Sequence, residues 1–259
     1  MRIVYYCSRE WVFFRVFQIS KYNQIVDAQK TRSLRELIST KEPNVVSFDD
    51  GALFKTRVAI LPAAFNPPTL AHLELLELSK TVNDVHSVAA MLTTKNVSKI
   101  APEESLSHRI SMLLVIQKTL DIHVLGINKA KIVNQALALQ STFPDLSFDF
   151  IVGFDTLVRL FDLQFYDGIR AMNLELEAFF DECRLITANR NDDDVSKVRQ
   201  WISHNAAHWK EKIIVLELND IMRRYSSTVA RADIKDGRVS HALPVVVRNY
   251  IDEHKLYRD

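Results

Sequence analysis

The sequence predicts an α/β protein: an open parallel sheet with helices on both faces, entered through a helical lead-in. Two observations carry that expectation. From Arg57 onward, apolar runs of strand length alternate with segments whose apolar residues recur at helical spacing. The short runs are apolar throughout instead of alternating with polar residues, as strands buried on both faces are. The composition agrees: 47% hydrophobic and 25% charged residues suit an ordinary globular chain with ample surface to bury.

The elements follow in order. Residues 1–54 read as an N-terminal extension, irregular and aromatic over 1–20, with a moderately amphipathic helix over 24–38 carrying Ile25, Val26, Ala28, Leu34, Leu37 and Ile38. Pro43 and the run Ser47 to Gly51 then read as a loop. Residues 55–259 form the main domain. VAILPAAF (58–65) is its first strand, stopped by Asn66-Pro67-Pro68, and 70–82 its first helix. Strands are expected over 87–92, 122–127, 148–153, 183–188 and 212–218. Helices are expected over 105–120, 129–141, 155–162, 172–180, 195–207 and 243–256. Asp192-Asp193-Asp194 reads as a solvated loop that caps the helix after it.

Several classes of function are excluded early. The chain of 259 residues has only five glycines, where average usage would give roughly eighteen. No two of Gly51, Gly126, Gly153, Gly168 and Gly237 are spaced for either familiar Gly-rich phosphate loop. Thirty-three Lys and Arg against 32 Asp and Glu leave no basic field for nucleic acid. The apolar stretch Trp11 to Ile19 is broken by Arg15 and falls short of the ~18 residues that span a membrane. Cys7 and Cys183 cannot make a disulfide framework, so a reducing compartment, cytoplasm or nucleus, is expected. His204 and His208 stand i, i+4, but no third ligand accompanies them, and an exposed helical pair is the better reading.

In a Rossmann-like sheet, ligands bind beyond the carboxyl ends of the strands. The first strand runs into AAFNPPTLAHLELL (63–76). There Pro67-Pro68 set the turn, Thr69 is placed as a helix N-cap, and His72 falls in the first turn. A helix start of this kind is a natural anion site, although an N-cap beside a partly buried histidine would read the same way. The strand over 148–153 ends at Gly153, with Asp155 free to cap the next helix or accept from a sugar hydroxyl. YSSTVAR (225–231) is a second candidate, with Ser226, Ser227 and Thr228 at a helix start, Arg231 one turn in, and Arg223 and Arg224 just before.

These pieces, in this order, resemble the nicotinamide/nicotinate mononucleotide adenylyltransferases, a nucleotidyltransferase family marked by an (H/T)-x-x-H element. AAFNPPTLAH resembles the family's G-x-F-N-P-[x]-[HT]-x-x-H, IVGFDTL its strand-end G-x-D, and YSSTVAR its I-S-S-T-x-x-R. LPVVVRNYIDEHKLY resembles its C-terminal V-P-x-x-V-x-x-Y-I-x-x-H-x-L-Y, read as an amphipathic helix packed on the sheet. The likeness spans about residues 57–257 and is nearest a divergent, fungal-type branch.

The resemblance implies a nucleotidyltransferase-type sheet and an enzyme. Its substrates would be ATP and a pyridine mononucleotide, with Mg²⁺ bound through phosphates and water and without a dedicated carboxylate cage. His72 would contact the ATP phosphates and Thr69 would shape their pocket. Ala64, Phe65 and Asn66 would form the wall and turn around the nucleotide. Lys99, with Lys95 as rival, would hold phosphate. Gly153 and Asp155 would lie at the adenosine ribose. Ser227, Thr228 and Arg231 would hold the β- and γ-phosphates. No nucleic acid or membrane partner is implied, and a homo-oligomer is left open.

The chain also departs from the pattern. Ala63 and Ala64 replace Gly and Ser or Thr, Thr69 replaces the commoner histidine, Ala71 replaces Gly and Tyr225 replaces Ile. The stretch 121–133 offers only His123 where an aromatic ring is expected to stack on the pyridine. Two alternatives therefore stand beside NAD or deamido-NAD synthesis. One is nucleotidyl transfer to another phosphate monoester. The other is a nucleotide-binding regulatory protein with residual ATP hydrolysis.

Overall fold

A computed structural model describes residues 28–49, 56–94 and 103–258. Cys7, the stretch 1–20, Gly51, Lys95 and Lys99 lie outside the described residues.

Seven strands form one sheet in the order β1-β4-β3-β2-β5-β6-β7. They are β1 (Val45–Ser47), β2 (Arg57–Ala63), β3 (Ser87–Thr93), β4 (His123–Ile127), β5 (Ser147–Gly153), β6 (Cys183–Ala188) and β7 (Ile213–Leu216). The chain winds outward from β2 through β3 to β4, then returns to the other side of β2 with β5 and continues to β7. The direction of winding thus reverses between β2 and β5, and ligands of open α/β sheets bind beside such reversals. Pairing from β4 to β7 is parallel throughout.

The helices are α1 (Ala28–Ser39), α2 (Leu70–Ser79), α3 (Glu103–Gln117), α4 (Ile132–Thr142), α5 (Phe154–Leu160), α6 (Ile169–Glu182), α7 (Val195–Asn205), α8 (Ser227–Lys235) and α9 (Val245–Glu253). The period-2 alternation of strand side chains divides the core into two layers. Ala59 and Leu61 of β2 point to the layer filled by α1, α2, α3, α8 and α9. Val58 and Ile60 point to the layer filled by α4, α5, α6 and α7. Both faces are covered, which is why the central strands carry no polar alternation.

Two expectations are corrected and one is sharpened. The loop placed after Pro43 contains β1, which pairs antiparallel with β4, so the sheet is parallel except at this edge. Three residues carry no readable period, and only the sheet edge makes them a strand. The C-terminal helix α9 packs chiefly on α3, within the layer that covers this face of the sheet; the Tyr250 hydroxyl lies 3.0 Å from His108 Nδ1. His204 and His208 do not share a helix, because α7 ends at Asn205 and His208 sits in the following 3-10 turn. Asp194 does cap α7, accepting from the Lys197 amide at 2.8 Å.

The lead-in is fastened to the sheet by close approach. A Cβ on Gly126 of β4 would meet Leu37 of α1 at 2.7 Å and Phe48 at 2.9 Å, so a larger residue there would have to push these side chains aside. Beside it the buried Asp49 carboxylate accepts from the Val124 amide at 2.9 Å and lies 2.8 Å from His123 Nδ1. Also toward the amino ends of the strands, buried Asp149 of β5 binds Arg57 of β2 at 2.9 Å and Arg184 of β6 at 2.6 Å, tying three neighbouring strands together.

Candidate active site

A cavity of about 580 Å³ opens at the carboxyl ends of the strands, over the reversal between β2 and β5. Its size falls in the range of small-molecule sites. One wall is the turn between β2 and α2, and Ala63, Ala64, Thr69, Ala71 and His72 all line it.

The turn is held from several directions. Arg109 of α3 donates to the Ala64 carbonyl at 3.3 Å, and the Ser227 hydroxyl donates to the Pro67 carbonyl at 2.8 Å. The Arg231 guanidinium donates to the Asn66 carbonyl, and the Tyr257 hydroxyl donates to Asn66 Oδ1 at 2.8 Å. Within this turn Phe65 takes φ +44°, left-handed backbone that a residue with a Cβ adopts at a cost of about 1–2 kcal/mol. Contacts from α3, α8 and the C-terminal segment over-determine it, as such strain requires.

Thr69 is the N-cap of α2 and is fully buried. The His72 ring folds back on it: Nδ1 accepts from the Thr69 amide at 3.0 Å and lies 2.8 Å from the Thr69 hydroxyl. A nitrogen that accepts from an amide carries no proton, so the neutral ring bears its proton on Nε2. Burial, with the Arg190 charge nearby, pushes His72 down to about 4. At neutral pH it is therefore an uncharged N–H donor on the cavity wall.

A second helix start faces the same space. Ser226 caps α8 by accepting from the Val229 amide at 3.2 Å, and Ser226, Ser227 and Thr228 line the cavity. The first amides of a helix have no intrahelical partner and present positive charge outward. Gly153, at the end of β5, contributes backbone; a Cβ there would meet Asp155 Oδ1 at 2.8 Å.

Some sequence-predicted residues stand elsewhere. Phe65 lies buried behind the wall with its ring 5.1 Å from His72, and Asn66 is bound into the turn; neither lines the cavity. The Arg231 guanidinium rests on the Asn66 carbonyl, and Thr228 Oγ1 accepts from it at 3.4 Å, so it supports the wall from outside. Asp155 is half exposed and ion-paired with Arg190 at 3.3 Å, and it does not line the cavity. His123 lies against Asp49, away from the site.

Other residues complete the site that the motifs did not single out. Asn189 and Arg190 follow β6 directly and line the cavity; reading the end of that strand as the first and fourth were read would have reached them. Arg223 lines it as well. At the far end stand Phe165, Tyr166 and the start of α4. Lys131, the N-cap of α4, donates to the Phe165 carbonyl at 3.0 Å and lies 5.3 Å from the centre of the Tyr166 ring. The Tyr166 hydroxyl donates to the Leu160 carbonyl at 2.6 Å, and burial with the nearby Glu175 charge pushes it up to about 12. The aromatic side chains on the cavity wall are thus those of Phe165 and Tyr166, outside the stretch 121–133.

Among the described residues no group of three or more His, Cys, Asp or Glu is arranged to hold a metal. Glu175 is the carboxylate lining the cavity among them, and it stands 3.9 Å from Lys131 at the aromatic end. No helix among the described residues is long and apolar enough to cross a membrane.

No protein-family profile matches the chain. Two curated relatives, both provisionally named, do. A nicotinate-nucleotide adenylyltransferase of Lachnoclostridium phytofermentans is 25% identical over 209 residues, covering 78% of this chain and 98% of the relative. A nicotinamide mononucleotide adenylyltransferase of Schizosaccharomyces pombe is 24% identical over 231 residues, covering 81% and 88%. In structure, the chain is similar to the Plasmodium falciparum nicotinic acid mononucleotide adenylyltransferase complexed with NaAD, with TM-score 0.60 and 16% identity over 78% of this chain and 98% of that one. The same Plasmodium protein complexed with APC gives TM-score 0.56 and 14% identity, again over 78% and 98%. In sequence the chain is similar to curated nicotinate and nicotinamide mononucleotide adenylyltransferases, and it shares the fold of the Plasmodium protein.

Proposed function

We propose that the chain transfers AMP from ATP to a pyridine mononucleotide, giving a dinucleotide and pyrophosphate. The observation that carries the reading is the meeting of two helix starts, α2 with His72 and α8 with Ser227 and Thr228, on one cavity at the sheet reversal. A phosphate oxygen of the mononucleotide attacks the α-phosphorus of ATP. The bond from that phosphorus to the bridging oxygen breaks, and pyrophosphate leaves with the electron pair. Such transfer needs in-line positioning and neutralisation of charge more than covalent help from the protein.

Each part of the wall has a task. The His72 Nε2–H donates to an ATP phosphate without itself titrating near neutrality. The amides at the start of α8 receive the β- and γ-phosphates. Ser227, Arg231 and Arg109 hold the turn that positions His72, while Arg190 and Arg223 supply fixed positive charge. Gly153 lets the nucleotide approach the end of β5, with Arg190, held by Asp155 from outside the cavity, beside the ribose. Tyr166 and Phe165 offer faces for the pyridine ring. Mg²⁺, bound through the phosphates and water, would add charge neutralisation. The cytoplasm or nucleus suits the chain, whose buried Cys183 thiol is pushed up to about 12 and is inert.

The aromatic pair at 165–166 also supports a pyridine acceptor over a different phosphate monoester. Incubation of the purified protein with ATP, Mg²⁺ and either mononucleotide, followed by chromatography, tests the reading. Dinucleotide and an equal amount of pyrophosphate are expected. ATP binding with no product from either substrate would replace it with the regulatory alternative.

A further inference from the structure

We infer that Tyr257, beyond the last helix, is a positioning residue: its hydroxyl holds the Asn66 side chain and so sets the Thr69 amide that orients the His72 ring. This rests on the adenylyl-transfer reading and adds a residue to its machinery. The Tyr257 hydroxyl donates to Asn66 Oδ1 at 2.8 Å. The tail is shaped to deliver it. After α9 ends at Glu253, Lys255 and Tyr257 take φ +52° and +63°, left-handed backbone that is costly for residues with a Cβ. On either side of Tyr257 the chain is folded back on α9: the Leu256 amide donates to the Ile251 carbonyl at 3.0 Å, and Arg258 to Asp252 at 3.2 Å. Two strained residues in three, beside a contact with the cavity wall, point to a function for that contact.

Burial pushes the Tyr257 hydroxyl up to about 12, against the opposing pull of the Arg109 and Arg231 charges, so it remains a protonated donor near neutrality. Its effect reaches His72 through a short, stiff link. Pro67 and Pro68 are buried and their rings fix φ, so a shift of Asn66 passes on to Thr69 and is not absorbed between them. The Thr69 amide then donates to His72 Nδ1 at 3.0 Å. Arg231 grips the Asn66 carbonyl, which leaves the Asn66 side chain to Tyr257.

Two measurements on the full chain test this. Tyr257→Phe keeps the ring that packs on the core and removes the donor. In steady-state transfer from ATP to nicotinamide mononucleotide it should lower kcat, per folded chain, about tenfold and leave KM nearly unchanged, as a small misplacement of a catalytic group does. Asn66→Ala should cost about as much, and the double variant no more than either alone, because both remove one contact. NMR titration of His72 reads the folded chain alone. In Tyr257→Phe its midpoint should rise from about 4 toward 6.5 as Nδ1 loses its amide donor. An unchanged kcat per folded chain, an unchanged midpoint, or losses that multiply in the double variant each overturn the role of Tyr257 and leave adenylyl transfer intact. No dinucleotide from the wild-type chain overturns adenylyl transfer, and the His72 midpoint then decides alone whether Tyr257 sets the ring.

Discussion

At the end of the cavity proposed to receive phosphate, where the two helix starts meet, side chains are locked by backbone. His72 accepts from the Thr69 amide, and Ser227 and Arg231 donate to the carbonyls of Pro67 and Asn66. At the aromatic end, the contacts are fewer and more exposed. Lys131 reaches the Phe165 carbonyl, Phe165 is 38% exposed, and the Tyr166 hydroxyl is anchored on the Leu160 carbonyl. The difference follows what each end must do. Charge developing in a transition state is best met by donors already in place. A ring that only has to be held in position tolerates a looser wall, because stacking is insensitive to small displacement.

Changes at the two ends should therefore separate kinetically. The largest effect is expected at His72. His72→Ala removes a fixed donor at the phosphates, and kcat/KM should fall by about 10²–10³ in steady-state assays, mostly through kcat. A fall confined to KM would mean that His72 serves ground-state binding alone. Tyr166→Ala comes next. It should raise KM for the mononucleotide about tenfold with kcat nearly unchanged, given stacking worth about 1–3 kcal/mol per ring. A loss confined to kcat would erase the distinction between the ends.

A smaller effect concerns protons. The folded pKa of His72, about 4, lies below its ordinary 6.5, so the unfolded chain takes up this proton first. The stability associated with neutral His72 is intact above about pH 6.5 and is lost as pH falls toward 4. NMR titration should show the ring neutral with its proton on Nε2 throughout pH 6–8. A midpoint near 6.5 would remove the desolvated donor from the site. Thr69→Ala should cost about 1 kcal/mol in denaturant unfolding, as loss of a helix cap does, and should leave mononucleotide KM unaffected.

The same contrast governs what the sequence made legible. The phosphate end lies in two short contiguous motifs, because a helix start needs only local residues: a cap at Thr69 or Ser226 and a turn set by Pro67-Pro68. The strands and helices of the main sheet were legible for the same reason, since periodicity is local. The aromatic end was not legible. Phe165 and Tyr166 follow α5 within and just beyond a 3-10 turn, and only the fold of 154–182 brings them beside α4. Arg231 shows the limit from the other side: its place in the motif was clear, but its docking on the Asn66 carbonyl depends on how α8 sits against the β2–α2 turn.

Transfer of the α-phosphorus is the central claim, and isotopic tracing tests it most directly. ATP labelled at the α-phosphate should pass its label to the dinucleotide when mixed with the chain, Mg²⁺ and nicotinamide mononucleotide, and label at the γ-phosphate should appear in pyrophosphate. Gamma-label released as inorganic phosphate, with no α-label in a dinucleotide, would contradict it.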